Sequence, residues 1–289
     1  MRTIAIEEHF ITPMYHDKVG ANEYRNFYLS SRSEQLGHDI YAQNMNIGAE
    51  RLAYMDAAGI TGCVLHPPSW DPRANEVAIE AARTHPDRLS ILGFFDVSKV
   101  ENRSLIDTWK KQLGMLGLRF AFLKPGEENR MVDGSLDWLW PAAERAGLPV
   151  GLLVPNRCKE VAKVAEKHPG LKILVDHMAR PRFSLDDAGF SDLGELLALA
   201  KYPNVAVKAT GGPSYSTDVY PYRNIHQYIR QIFDAFGPQR MFWGTDITRM
   251  PCTWRQCVTM YTEEMPWLKG NDLELVMGRG LCEFIGWKV

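Results

Sequence analysis

Short apolar runs recur along the chain. Each is followed by a stretch whose apolar residues fall three and four apart, then by a Gly or Pro, then by another run. Eight such runs stand out, at residues 3–8, 61–65, 89–95, 116–123, 149–154, 171–175, 204–209 and 240–244. They are continuously apolar more than alternating, the pattern of parallel strands covered on both faces. The intervening stretches predict helices. Residues 47–58 carry Leu52, Met55 and Ala58 on one face, and residues 135–146 begin at a Ser that suits an N-cap and stop before Gly147. Residues 159–168 and 223–236 follow the same spacing, and a further helix is predicted at 271–285.

Strand and helix alternating eight times predict an α/β fold, a (β/α)8 TIM barrel. The expected plan is a single domain over 1–289, with a long loop after strand one and an extra C-terminal helix. An open doubly wound sheet is the alternative. It would be favoured by a G-x-G-x-x-G fingerprint after the first strand, and that fingerprint does not occur. Residues 11–46 break the rhythm and are rich in Tyr, His, Asn and Ser. A loop of that length in a compact domain reads as a lid or binding loop.

Composition narrows the partners. The formal net charge of -2 removes the basic footprint expected of a nucleic-acid binder. No apolar run approaches the roughly 20 residues needed to span a bilayer. The stretch from Met1 to His9 is too acidic and too poor in apolar residues for a secretion signal. Cys63, Cys158, Cys252, Cys257 and Cys282 are scattered, an odd count with no C-x-x-C pair. That usage suggests reduced core thiols and a cytoplasmic protein with no nucleic-acid or membrane partner.

In a barrel of this kind chemistry sits at the C-terminal strand ends. Strand one ends in Glu7-Glu8-His9, and residues two apart share a face, so Glu7 and His9 aim together. A carboxylate and an imidazole converging there suit a divalent metal; an ordinary Glu–His hydrogen bond is the plainer alternative. Strand two runs into His66, strand six into Asp176-His177-Met178-Ala179-Arg180-Pro181, and strand eight into Gly244-Thr245-Asp246. Charges that meet on one rim need partners, and such rings are where metals and perturbed ionisations are found. A structural ring of ion pairs is the alternative. His85 and His168 each precede a Pro at a helix end and read as ordinary residues.

These motifs, in this order and spacing, resemble the amidohydrolase superfamily. Within it they resemble the branch of the 2-pyrone-4,6-dicarboxylate lactonases and the aromatic-acid, resorcylate-type decarboxylases. The resemblance covers essentially the whole chain. It implies Glu7, His9 and Asp246 as ligands of a divalent ion, zinc or manganese. It implies Asp246 as the group that handles the proton of an attacking water or of the substrate. It implies His177 beside the substrate as a polarising group, and Arg180 as a binder of a substrate carboxylate. One departure matters: metal-dependent members carry a histidine at the end of strand five, and here that end reads Leu153-Val154-Pro155-Asn156. Metal-free action, with His9 and His177 polarising the carbonyl, is therefore open as well.

Arg119, Arg180, Arg249 and Lys208 are candidate anion binders, Arg180 and Arg249 set apart by position from Arg119 and still more from Arg73, with a surface ion pair as the alternative for each arginine, and His66 is a candidate substrate contact. Trp70, Tyr215, Tyr220 and Tyr222 are candidates to wall the pocket or to serve as packing anchors. The expected function is hydrolysis of a carboxylated, aromatic-derived lactone or ester, a small anionic substrate. Non-oxidative decarboxylation of a hydroxybenzoate-like acid is the second reading, and a catalytically lapsed barrel is the third. Family analogy alone points to a homodimer.

Overall fold

The computed structural model describes residues 4–7, 49–67, 73–122, 127, 129–181, 184–247 and 250–288. The expected long loop at 11–46 lies outside the described residues.

Eight parallel strands follow one another in chain order round the sheet. They are β1 (Ile4–Glu7), β2 (Gly62–Leu65), β3 (Leu89–Phe94), β4 (Met115–Ala121), β5 (Val150–Leu153), β6 (Ile173–Val175), β7 (Val205–Ala209) and β8 (Met241–Trp243). β1 comes back into contact with β8, so the sheet curls on itself. Each expected run contains its strand, apart from the first residue of β4, and the barrel, not the open sheet, is the architecture.

The helices match less evenly. A helix over Ala49–Ala58 (α1) and another over Cys158–Lys167 (α4) fall where the spacing predicts them. Arg223–Phe236 (α7) does so too, burying Ile225, Ile229, Ile232 and Phe236 at the three-and-four spacing of one helical face. Helices also form at Ala74–Thr84 (α2) and Trp254–Thr262 (α8), and a 3-10 helix at Val100–Lys111. The helix expected from Ser135 begins instead at Leu139 and runs to Arg145 (α3). Ser135 donates its backbone N–H to the Asp133 carboxylate, closing a local turn rather than capping a helix. The run expected at 271–285 is broken into Gly270–Glu274 (α9), a wide turn and Gly280–Ile285 (α10). Between α4 and α7 lie two short helices, α5 (Asp186–Gly189) and α6 (Leu193–Leu197).

Alternate strand residues serve two cores. Cys63, Leu65, Ile91, Leu118, Val150, Leu152, Ile173, Val175, Val205, Val207, Met241 and Trp243 pack outward with the helices. Val64, Leu92, Leu174, Ala206 and Phe242 cluster with Leu281, Ile285 and Trp287. Side chains from opposite sides of a curled sheet meet only inside it, so this second cluster fills the barrel. The C-terminal segment closes it at the N-terminal strand ends, where the Lys172 ammonium donates to the Phe284 carbonyl at 2.7 Å. No helix of the described residues is long and apolar enough to cross a membrane.

Candidate active site

The opposite end of the barrel is charged. In β7 the residue two beyond Ala206 on the inward face is Lys208, fully buried. A lysine is almost never in that state without a partner. Its ammonium donates to Asp176 Oδ1 at 2.8 Å and reaches His66 Nδ1 at 3.3 Å. The other Asp176 oxygen accepts from Arg119 Nε at 3.0 Å, so one carboxylate holds two cations. β5 makes room for them with Gly151, where a Cβ would stand 3.3 Å from Arg119 Cγ and 3.7 Å from Asp176 Oδ1.

Directly after Asp176 the backbone turns left-handed at His177, Met178 and Ala179 (φ 48°, 57° and 54°). Each such residue costs on the order of 1–2 kcal/mol, and strain of this kind collects at functional sites. The turn buries the His177 imidazole. Its Nδ1 lies 2.6 Å from Thr210 Oγ1, and its Nε2 lies 3.6 Å from Asp246 Oδ2. Asp246 is itself left-handed (φ 57°) and 1% exposed. The loops that carry these residues are tied together. Gly211 donates to the Thr245 carbonyl at 3.0 Å, and Trp254 Nε1 donates to Thr245 Oγ1 at 2.9 Å. Gly211 is left-handed, and a Cβ there would come within 3.6 Å of His177 Nδ1. Tyr261 donates its hydroxyl to the last carbonyl of β7, Ala209, at 3.1 Å. Burial pushes that phenol well above its ordinary value, which keeps it a donor.

Comparison with known proteins decides the lineage. The sequence profile described as amidohydrolase matches residues 36–269. The chain belongs to the amidohydrolase family. A curated L-fucono-1,5-lactonase from Burkholderia ambifaria is 30% identical over 100 residues, 33% of this chain. The chain spans 32% of that relative's length. Among solved structures, an amidohydrolase from Burkholderia multivorans with bound zinc superposes with TM-score 0.78, 15% identity and 99% coverage of both chains. A 5-carboxyvanillate decarboxylase from Novosphingobium aromaticivorans, complexed with manganese and 4-hydroxy-3-methoxy-5-nitrobenzoic acid, gives 0.71 at 16% identity, covering 99% of this chain and 96% of that one. A probable 2-pyrone-4,6-dicarboxylic acid hydrolase from Acinetobacter baumannii with citric acid bound gives 0.68 at 18% identity, with 99% and 100% covered. These structures share the fold, and the last two belong by their descriptions to the branch that the sequence motifs resemble.

Within this amidohydrolase barrel the expected residues separate into groups. Asp246 and His177 stand together, and His66 and Arg119 meet through Asp176 and Lys208. Arg180 is held elsewhere. Its guanidinium donates to the Met178 and Gly189 carbonyls, pairs with Asp192 between α5 and α6, and lies over the Phe190 ring. Its buried Nη2 has no hydrogen-bond partner among the described residues. Glu7 closes β1, in register with Leu65 of β2, and is described only in its backbone. His9, Arg249 and Trp70 lie outside the described residues. Among the described residues no group of three or more His, Cys, Asp or Glu side chains is arranged to hold a metal. Tyr215 packs edge-on against Phe190, Tyr220 bonds Thr259, and Tyr222 packs against Tyr220, so these aromatics anchor loops. Sequence reasoning missed Thr210 and the bridging role of Asp176. The inward parity of Lys208 and Thr210, two residues apart, was the available signal for the former.

Proposed function

We propose that this amidohydrolase hydrolyses a carboxylated, aromatic-derived lactone or ester, with Asp246 as general base and then general acid. The observation that carries the reading is the buried pairing of Asp246 with His177, 3.6 Å apart, at a strained barrel mouth. The partial match to a lactonase supports it. Asp246 takes a proton from water as the water oxygen bonds to the carbonyl carbon. The tetrahedral oxyanion is met by His177 and neighbouring donors, as in an oxyanion site. The carbon–oxygen bond of the ester then breaks, and Asp246 returns its proton to the leaving oxygen. Arg119, His66, Arg180 and Arg249 are the proposed substrate-side residues, with Arg180 offering Nη2. An anionic substrate fits that basic set.

The donor types of Asp246 and His177, carboxylate oxygen and imidazole nitrogen, suit a divalent cation. Glu7, His9 and Asp246 would hold zinc or manganese, which supplies Lewis-acid polarisation of a carbonyl. The residue roles above do not depend on it. Decarboxylation of a hydroxybenzoate-like acid is the second reading, favoured by the opening Glu7-Glu8-His9-Phe10.

The test is product analysis on panels of carboxylated lactones and hydroxybenzoates, before and after supplementation with zinc or manganese. Stoichiometric acid release from a lactone without CO2 is the expected result. CO2 release from a hydroxybenzoate with inert lactones would replace hydrolysis by the second reading.

A further inference from the structure

The two buried imidazoles at the mouth have different kinds of partner, and the difference fixes what each can do. We propose that Lys208 is a positioning residue that locks His66 in its Nε2–H tautomer, so that His66 meets the substrate as a hydrogen-bond donor to a carboxylate or carbonyl oxygen. The nature of that acceptor rests on the proposed function; the tautomer does not.

The argument starts from donors and acceptors. An ammonium carries three N–H groups and no acceptor. Lys208 is an ammonium because Asp176 lies 2.8 Å from it in a fully buried ion pair. The contact of Lys208 Nζ with His66 Nδ1 at 3.3 Å can therefore be made only one way. The ammonium donates, and the lone pair of Nδ1 accepts. A neutral imidazole has one ring proton, which must then sit on Nε2. A proton on Nδ1 would set an N–H against an N–H, and protonation of both nitrogens would add a charge against a charge.

The fold holds this arrangement on both sides. His66 directly follows β2, and Lys208 lies in β7, and these strands are not neighbours in the sheet. The lysine stem thus spans the barrel interior to reach the ring. Arg119 on the second Asp176 oxygen fixes the carboxylate that aims the lysine. His177 differs. Its Nδ1 faces the hydroxyl of Thr210 at 2.6 Å, and a hydroxyl donates or accepts as required. The Thr210 contact thus leaves the His177 tautomer open, whereas His66 is held as a constant donor. Nε2–H on His66 matches an oxygen acceptor and opposes a cation at that nitrogen.

The experiment is long-range proton–nitrogen NMR on protein with nitrogen-15 histidine, without substrate. The His66 ring is assigned by its loss in His66→Gln. The expected spectrum shows the His66 ring with Nε2 protonated and Nδ1 bare. In Lys208→Met the His66 pattern becomes a tautomer mixture. A wild-type ring protonated on Nδ1, or a Lys208→Met spectrum with the wild-type His66 pattern, would overturn the proposal. The wild-type spectrum decides it alone where Lys208→Met does not fold. On a lactone that the enzyme hydrolyses, His66→Gln keeps an N–H at this reach, and His66→Glu presents only oxygen. KM for the Gln variant should stay at least about tenfold closer to wild type, with smaller effects on kcat. Equal KM values would remove the donor role. A retained Nε2–H tautomer with no lactone hydrolysis would sink the functional reading and leave the tautomer intact.

Discussion

The two ends of the barrel are made from the same inward-facing positions of the same strands, one pleat repeat apart. At the floor Val64, Leu174 and Ala206 pack with Phe242, Leu281, Ile285 and Trp287. Two residues further along each chain stand His66, Asp176 and Lys208. Floor contacts are non-directional, and burial stabilises them in proportion to area, by about 25 cal/mol per Å². Mouth contacts are directional, and each buried charge depends on a specific partner. The backbone follows the same division, with left-handed residues at His177, Met178, Ala179 and Asp246 in the mouth. One end holds the fold together, while the other stores charge and strain, which is where chemistry is done.

The largest change expected comes from breaking the mouth's charge balance. Asp176→Asn leaves Lys208 and Arg119 buried with one carboxylate fewer. Loss of about 3–5 kcal/mol is expected in denaturant unfolding. A cost below about 1 kcal/mol would mean that the two cations are solvated or paired elsewhere. At the floor, Phe242→Ala opens a cavity among residues that are fully buried and costs about 3–5 kcal/mol. Phe242 is the β8 register partner of Lys208, but its ring packs into the floor cluster, so turnover per folded molecule should stay near wild type; a large fall in kcat would show that the ends are coupled. Trp254→Phe removes the 2.9 Å bond to Thr245, next to Asp246. It should cost about 1 kcal/mol and alter kcat by a small factor. The smallest effect lies on α7, outside both ends. Burial lowers the proton affinity of His226, opposed by its hydrogen bond to the Pro221 carbonyl and aided by Arg223. The neutral ring is thus favoured by folding. Its contribution is complete above its ordinary value of 6.5 and is lost as pH falls below that. Unfolding curves of His226→Gln should lose stability less steeply below pH 6.5 than wild type; parallel curves would remove His226 from the pH response.

What was legible in the sequence follows the same contrast. Parallel strands covered on both faces announce themselves as continuous apolar runs, so β2 through β8 were readable. The amphipathic α7 was readable to its ends because Gly237 stops it with a left-handed residue. Helix starts set by polar side chains were not: a Ser reads as a cap until Asp133 is seen taking its N–H. At the mouth, Asp246 and His177 stood out because strand ends are where this fold places chemistry. The link from Lys208 to His66 crosses the barrel between residues 142 apart in sequence, and no local pattern encodes it. Arg180 was legible only as a charged motif residue: the carbonyls of Met178 and Gly189 and the Asp192 carboxylate that hold its Nε and Nη1 were not signalled by any local pattern.

The most direct test of the account is the turnover of Asp246→Asn on the lactone that the wild-type enzyme hydrolyses best, with its unfolding curve measured alongside. The account predicts a fall in kcat of about 10²–10⁴-fold with stability within about 1 kcal/mol of wild type or above it. Near-normal turnover in a folded Asp246→Asn protein would contradict it, because no other residue has been given the proton that this carboxylate carries.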